Sequence, residues 1–254
     1  MPRFYLPPSQ CQDSTLFLAG REAHHALHVV RLRRGERVAV LDGAGHEFLC
    51  EVQQYDRDKV SLGVLETRTV PPPACRITLL QALPKGKVMD FIVQKATELG
   101  AFRILPLLSE HVVAKLGKKE MLHKSEKWQM IAIESIKQCG SAWLPRIEAP
   151  LTPTEFLARK EKFDLALIGS LQKDARHPRE CFRAFQAERG RLPEAVCVWI
   201  GPEGDFAPVE LEAIRAGGAL PITLGPLVLR TDTAAIYCLS ILNYETQSPG
   251  SKSP

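Results

Sequence analysis

"AVCVWIGPEGDF", residues 195–206, runs from an apolar stretch of strand length straight into two glycines, a proline and two acids. Continuous apolar residues predict a strand buried on both faces, which is the habit of a parallel sheet covered by helices. The stiff, glycine-flanked turn that ends the strand predicts a switch to a helix near residues 208–217. In sheets of this kind ligands bind beyond the carboxyl ends of the strands, so Gly201-Pro202-Glu203-Gly204 is a candidate site. Taken alone, an ordinary strand-to-helix turn accounts for it equally well.

The pattern repeats on both sides of this stretch. Apolar runs of strand length occur at 77–83, 104–108, 164–168, 195–200 and 220–224. Helical periodicity falls between and after them, near 87–100, 119–139, 154–162, 178–189, 208–217 and 232–246. Alternation of this kind predicts an α/β domain with a parallel sheet. Three consecutive prolines at 71–73 mark a linker ahead of it. Before the linker, "ERVAVLDG", "HEFLCEVQQY" and "KVSLGVLETR" read as short strands separated by Asp/Gly turns, which predicts a small β-barrel. One helix, 21–36, interrupts them, with Ala23, Leu27 and Val30 on one face. The polar ending "QSPGSKSP" predicts a disordered tail over 247–254.

With 45% hydrophobic and 24% charged residues in 254, the chain has the balance of a soluble protein with a substantial core. No run of 18 apolar residues and no apolar leader occurs, which predicts no membrane span and a cytoplasmic location. Seven cysteines include no Cys-x-x-Cys pair, so they read as buried small hydrophobes and not as a metal or redox site. The net charge is +4, yet residues 84–146 alone carry eleven Lys/Arg against six Asp/Glu. A local basic excess of that kind suits an anionic partner such as nucleic acid, or simply a solvated helix face.

A second glycine loop, "LGPLVLRTDTAA" at 224–235, also joins a strand end to a helix. Gly and Pro in both loops leave backbone groups accessible, and leucines supply the rest, which suits a flat apolar heterocycle such as adenine. No G-x-x-x-x-G-K-[ST] is present, and "ALPKGK" stands where a dinucleotide G-x-G-x-x-G would follow the first strand. Nucleotide hydrolysis and hydride transfer are thereby disfavoured.

In order, "IGPEGDF" and "LGPLVLRTDTA" resemble the signatures of the RsmE family of ribosomal RNA methyltransferases, within the SPOUT superfamily. "HHALHVVRLRRGERVAVLDGAGHEF", "ALPKGKVMDFIVQKATELGAFRILPL", "SEHVVAK" and "ESIKQCGSAWLPRI" extend the resemblance nearly end to end. It implies a PUA-like RNA-binding β-barrel over residues 1–72 and a SPOUT methyltransferase domain over 73–246 with a C-terminal trefoil knot. It also implies methyl transfer from S-adenosylmethionine to N3 of one uridine of 16S rRNA in the small ribosomal subunit, by a homodimer; the ligand count of the sequence separately predicts no metal. A non-catalytic RNA-binding assembly factor that keeps the fold is the alternative. Four positions depart from the family pattern: Cys139, Ser141, Asp205 and Asp232. The family's residue at 205 is Gly; if that position needs positive φ, Asp tolerates it better than most.

The resemblance places cofactor contacts at Ile200, Gly201, Pro202 and Gly204, and at Leu224, Gly225, Leu229, Arg230, Thr231, Thr233 and Ala234. Arg230 is the candidate for stabilising charge on the uracil, with a loop salt bridge to Glu203 or Asp232 as its ordinary role. Glu203 is the second catalytic candidate, with loop bracing as its ordinary role. Thr231 and Thr233 sit where hydroxyls commonly cap a helix. His24, His25 and His28 lack a third metal ligand and, with Arg31, Arg33 and Arg34, read as a phosphate-contacting surface. Lys85 and Lys115 join them as RNA-contact candidates, with Lys118, Lys119, Lys124 and Lys127 extending the basic surface.

Overall fold

The computed structural model describes residues 1–110 and 118–247; Lys115 and residues 248–254 of the polar tail lie outside them. The chain divides into two units, residues 1–72 with 133–144, and residues 73–132 with 145–254.

The second unit is built on six strands: β6 (Arg76–Ala82), β7 (Arg103–Leu107), β8 (Arg146–Ile147), β9 (Leu165–Gly169), β10 (Ala195–Ile200) and β11 (Leu220–Ile222). Their order is β11-β9-β10-β6-β7-β8, and every pairing is parallel. The central strands β6 and β10 are buried from their second residue onward; β10 is an unbroken apolar run, and β6 carries Thr78 and Gln81 among apolar residues. Among the described residues six helices lie between and after the strands: α2 (Val88–Glu98), α3 (Lys118–Cys139, of which 133–139 fall in the first unit), α4 (Pro153–Ala158), α5 (Pro178–Arg189), α6 (Pro208–Ala216) and α7 (Thr231–Thr246). α4 starts on a capping box, with Thr152 Oγ accepting from the Glu155 N–H and a Glu155 carboxylate oxygen accepting from the Thr152 N–H. It stops short of the expected residue 162, because Lys160 turns left-handed at φ 51°. On one face of the sheet Trp199 meets Phe156 and Phe206 edge-on, with ring centroids 5.3 and 6.3 Å apart. Phe206 closes the "IGPEGDF" turn, so Trp199 just before the turn and Phe206 at its end are pinned in one cluster. On α7, Ala235, Leu239 and Leu242 are fully buried within the unit, while Tyr237 and Tyr244 stay exposed.

The first unit holds a five-stranded sheet of order β1-β3-β4-β5-β2, from β1 (Arg3–Tyr5), β2 (Thr15–Ala19), β3 (Arg37–Leu41), β4 (His46–Tyr55) and β5 (Lys59–Thr69). Where the sequence predicts a small barrel, the sheet curls as a half-barrel: β1 and β2 are its two edges and do not pair with each other among the described residues. The three strands expected from the sequence are β3, β4 and β5. β4 and β5 turn on Asp56, whose Oδ1 accepts from the N–H groups of Asp58 and Lys59 at 3.1 and 3.0 Å. The single helix expected over 21–36 is also corrected. α1 (Gly20–His24) runs into a wider π-helical turn over His25–Val30, and Arg31 ends it in a left-handed conformation at φ 60°. Ala23 of α1 and Ala26 of the wider turn are buried, and Leu32 enters the core just after the reversal at Arg31.

Candidate active site

Parallel pairing delivers the carboxyl ends of the neighbouring strands β9, β10 and β11 to one edge of the second unit. Three loops leave from there and surround a cavity of about 290 Å³. Gly169 ends β9, and a Cβ placed on it would lie 3.5 Å from Ile200 Cδ1 and 3.6 Å from Leu224 Cδ1. The two glycine loops singled out in the sequence therefore meet across the end of β9. Ile200, Gly201, Pro202, Leu224, Gly225, Leu229, Arg230, Thr231 and Ala234 line the cavity, as does Glu203. Gly204 and Thr233 lie off its wall. Leu171, Leu227 and Val228 add an apolar rim, at 65%, 72% and 78% exposure.

Sequence reasoning passed over Gly169, Ser170 and Leu171. The signal was available, since "ALIGS" is another apolar run ending in a small-residue loop at a strand's carboxyl end.

The polar groups are arranged as follows. Asp205 has φ 63°, and its Oδ1 accepts from the Phe206 N–H at 2.8 Å. The departure from glycine at 205 thus falls on a left-handed position that Asp can occupy. The Pro202 carbonyl accepts from the Asp205 N–H at 3.0 Å, closing the turn. Glu203 Oε1 accepts from the Lys85 N–H at 3.2 Å, which ties the loop after β6 to the loop after β10. Thr231 is no cap. Its hydroxyl donates to the Gly201 carbonyl at 2.7 Å and accepts from Gln81 Nε2 at 3.0 Å. Arg230 is exposed and forms no ion pair among the described residues, so neither of its expected bracing partners holds it. Asp232 accepts from the Thr233 N–H in the first turn of α7, where a negative charge also suits the helix dipole.

The cysteines lie away from this chemistry. Burial pushes the thiols of Cys50, Cys75, Cys197 and Cys238 up to about 12 and Cys11 up to about 11, and all seven are unbridged. No cluster of three or more His, Cys, Asp or Glu that could hold a metal occurs among the described residues. No helix there is long and apolar enough to cross a membrane.

In the first unit His24 and His28 are exposed and face each other with ring centroids 4.8 Å apart. Arg31, Arg33 and Arg34 follow them, exposed and without ion pairs among the described residues. His25 turns inward, edge-on to Phe4 at 5.8 Å. The basic stretch 84–146 is partly neutralised. Lys95 pairs with Glu98, Arg103 with Glu148 and Glu161, Lys127 with Asp90, and Lys137 with Glu22 and Glu134. Lys85 remains exposed. Ser141 makes a local turn with the Trp143 backbone. Close to it in the same unit, Arg3 donates to the Lys137 and Gln138 carbonyls at the end of α3, as cations commonly do at helix C-termini.

A parallel α/β sheet with a backbone-lined cavity at its strand ends, in a chain that also carries a half-barrel unit, agrees with two family profiles. The RNA methyltransferase domain profile matches residues 71–243, and the RNA methyltransferase PUA domain profile matches residues 18–65. The class is that of RNA methyltransferases with an appended PUA domain. The ribosomal RNA small subunit methyltransferase E of Bacillus subtilis (strain 168) is 31% identical over 256 residues, covering 97% of this chain and 98% of the relative. Among solved structures, a Legionella pneumophila protein with the cofactor SAM bound superposes with TM-score 0.84 at 31% identity, covering 95% of this chain and 96% of that one. The Neisseria gonorrhoeae ribosomal RNA small subunit methyltransferase E, bound to S-adenosyl methionine, superposes with TM-score 0.82 at 26% identity, covering 96% and 97%. The chain belongs to the ribosomal RNA small subunit methyltransferase E family.

Proposed function

We propose that this protein methylates N3 of a specific uridine in the 16S rRNA of the small ribosomal subunit, using S-adenosylmethionine. The observation that carries the reading is the meeting of two side-chain-poor turns around one cavity, with an unpaired arginine at its edge. The residues present fit the cofactor. Ile200, Leu224 and Leu229 offer apolar walls to an adenine, backbone at Gly201 and Gly225 allows close approach, and Glu203 and Asp205 suit a cationic ligand. Bound there, the cofactor supplies a methyl group on a positively charged sulfur. The protein's own work is positioning and electrostatics. Uridine N3 must lose its proton to attack, and the charge then spreads over O2 and O4. Arg230, exposed and without a competing carboxylate, is the group that stabilises that charge. Glu203 keeps the turn in place through the Lys85 N–H.

In this reading residues 1–72 form the PUA-like RNA-binding domain and 73–246 the SPOUT domain. The chain after Gly201 threads an earlier loop as a trefoil knot. Two copies pair, and the exposed Tyr237 and Tyr244 of α7 are apolar groups available for that contact. His24, His28, Arg31, Arg33, Arg34 and Lys85 contact RNA phosphates. The rRNA substrate places this work in the cytoplasm. Mass spectrometry of rRNA nucleosides from strains with and without the gene tests the activity, alongside primer extension on 16S rRNA. Loss of 3-methyluridine, and of the reverse-transcriptase stop that N3 methylation causes, is expected on deletion. Unchanged nucleosides and stops would leave the chain a non-catalytic RNA-binding protein.

A further inference from the structure

Gln81 stands where the pattern of β6 calls for an aliphatic residue. It is fully buried, faces Ile200 of β10 in the sheet register, and lies outside the cavity wall. Its Nε2 donates to the Ala82 carbonyl at 2.9 Å and to Thr231 Oγ at 3.0 Å, while its Oε1 has no partner among the described residues. Valence fixes the direction of this chain. A carbonyl oxygen only accepts, so the atom facing Ala82 must be the amide nitrogen. With both amide protons committed, the Thr231 hydroxyl accepts from Gln81, and its own proton goes to the Gly201 carbonyl at 2.7 Å.

A methionine of similar length would remove the unmatched Oε1 but would also take its donor from the Ala82 carbonyl, so for stability alone the amide has no clear advantage. What it adds is orientation. The Gly201 carbonyl is held by Thr231, and Pro202 has no N–H. The peptide linking them therefore has its carbonyl tied to Thr231 and offers the cavity no donor. Without the relay that carbonyl would be released to compete for water or ligand. We infer that Gln81 is a positioning residue: through Thr231 it holds the Gly201–Pro202 peptide in the orientation the cofactor-binding wall needs. The inference rests on reading this cavity as the S-adenosylmethionine site.

Calorimetric titration of S-adenosylmethionine into the full-length protein tests it, with kcat and KM for the cofactor on small-subunit RNA and the melting temperature of the ligand-free protein measured alongside. Gln81→Met is expected to bind the cofactor about tenfold more weakly, a change of about 1.4 kcal/mol. Its kcat at saturating cofactor stays within about twofold, and any fall in its melting temperature is read against Thr231→Val, which keeps the Gln81–Ala82 bond. Thr231→Val weakens binding similarly and Thr231→Ser restores it. The double variant Gln81→Met/Thr231→Val binds no more weakly than Thr231→Val alone, since both changes cut one relay. Wild-type affinity in Gln81→Met, or additive losses in the double variant, would overturn the inference. If Gln81→Met does not fold, the threonine pair decides: equal affinities for Thr231→Val and Thr231→Ser overturn it. A wild-type protein that takes up no cofactor sinks the reading of the cavity itself, whereas a wild type and variants that all bind alike sink only the relay.

Discussion

Alanine at Gly201 and alanine at Gly225 should both damage the site, by different physics that can be separated. A Cβ at Gly201 would lie 2.9 Å from Asp205 Oδ1, 3.3 Å from Asp205 Cα and 3.4 Å from Phe206 N. None of these can yield easily. The carboxylate oxygen is held by the Phe206 N–H at 2.8 Å, Asp205 is already left-handed, and Phe206 is packed on Trp199. Restoring ordinary contact needs a shift of about half an ångström in a closed turn, at a cost of about 1–3 kcal/mol by analogy with overpacking. If that strain is expressed at the cavity, cofactor affinity falls by about five- to 150-fold. Gly225 is the opposite case: its φ is 105° and a Cβ there meets nothing within 4 Å. Alanine there costs about 1–3 kcal/mol through the backbone alone. Urea unfolding of the ligand-free protein separates the two. Gly201→Leu should be less stable than Gly201→Ala, whereas Gly225→Leu and Gly225→Ala should agree within about 0.5 kcal/mol, because that side chain points into open space. Calorimetry then gives the affinity of each alanine variant. Gly201→Ala with cofactor affinity within twofold of wild type, or a strong dependence on side-chain size at Gly225, would refute the reasoning.

Arg230→Ala should lower kcat by about a hundredfold, in the range of a lost charge-stabilising group, while cofactor affinity and unfolding free energy barely move; steady-state kinetics and calorimetry check the split. Asp164 is held down to about 2, first by its hydrogen bonds from Arg191 and then by those from the Glu194 and Ala195 N–H groups. A carboxylate depressed in the folded state stabilises above its unfolded value of about 3.9, and the contribution disappears as pH falls toward the folded value. The stability gap between wild type and Asp164→Asn should therefore be constant above about pH 5 and close toward pH 2, as followed by urea midpoints. Arg33→Ala and Arg34→Ala should each reduce the salt dependence of RNA binding by about one charge without changing which RNA is preferred, measured by filter binding over a salt series.

The elements that could be read from the sequence were those whose burial alone settles their type. β10 is an unbroken apolar run and β6 a mainly apolar one, and α2 through α7 carry the helical period between Gly and Pro stops. Elements that were missed or misread are held by partners far away in the chain. β1 has three residues and exists by pairing with β3, and β8 has two and exists by pairing with β7. Neither is long enough to show a period. The helix after Gly20 was drawn too long because "HVVRLRR" continues the periodicity, while a π-helical turn and a left-handed Arg31 redirect the backbone. Composition does not distinguish those two paths.

The site divides along the same line. Its glycines and leucines could be read because backbone approach and apolar contact each demand particular residue types at a strand's end. Ion-pairing states could not. The sequence offers Arg230 a salt bridge to Glu203 or Asp232, and among the described residues it has neither. Thr231 sits at the place where a hydroxyl usually caps its own helix, yet it bonds a carbonyl 30 residues earlier and an amide 150 residues earlier. A site assembled from main-chain groups leaves few side chains to recognise, so the residues that orient that main chain carry its specificity. They can sit near the carboxyl end of a buried strand, where Gln81 lies, and where a sequence shows only a polar letter among apolar ones. On the inference drawn for Gln81, a polar residue of that kind, buried beside a glycine turn and matched to it through a single hydroxyl, would mark a backbone-built ligand wall. It should be sought wherever a parallel strand ends in Gly-Pro.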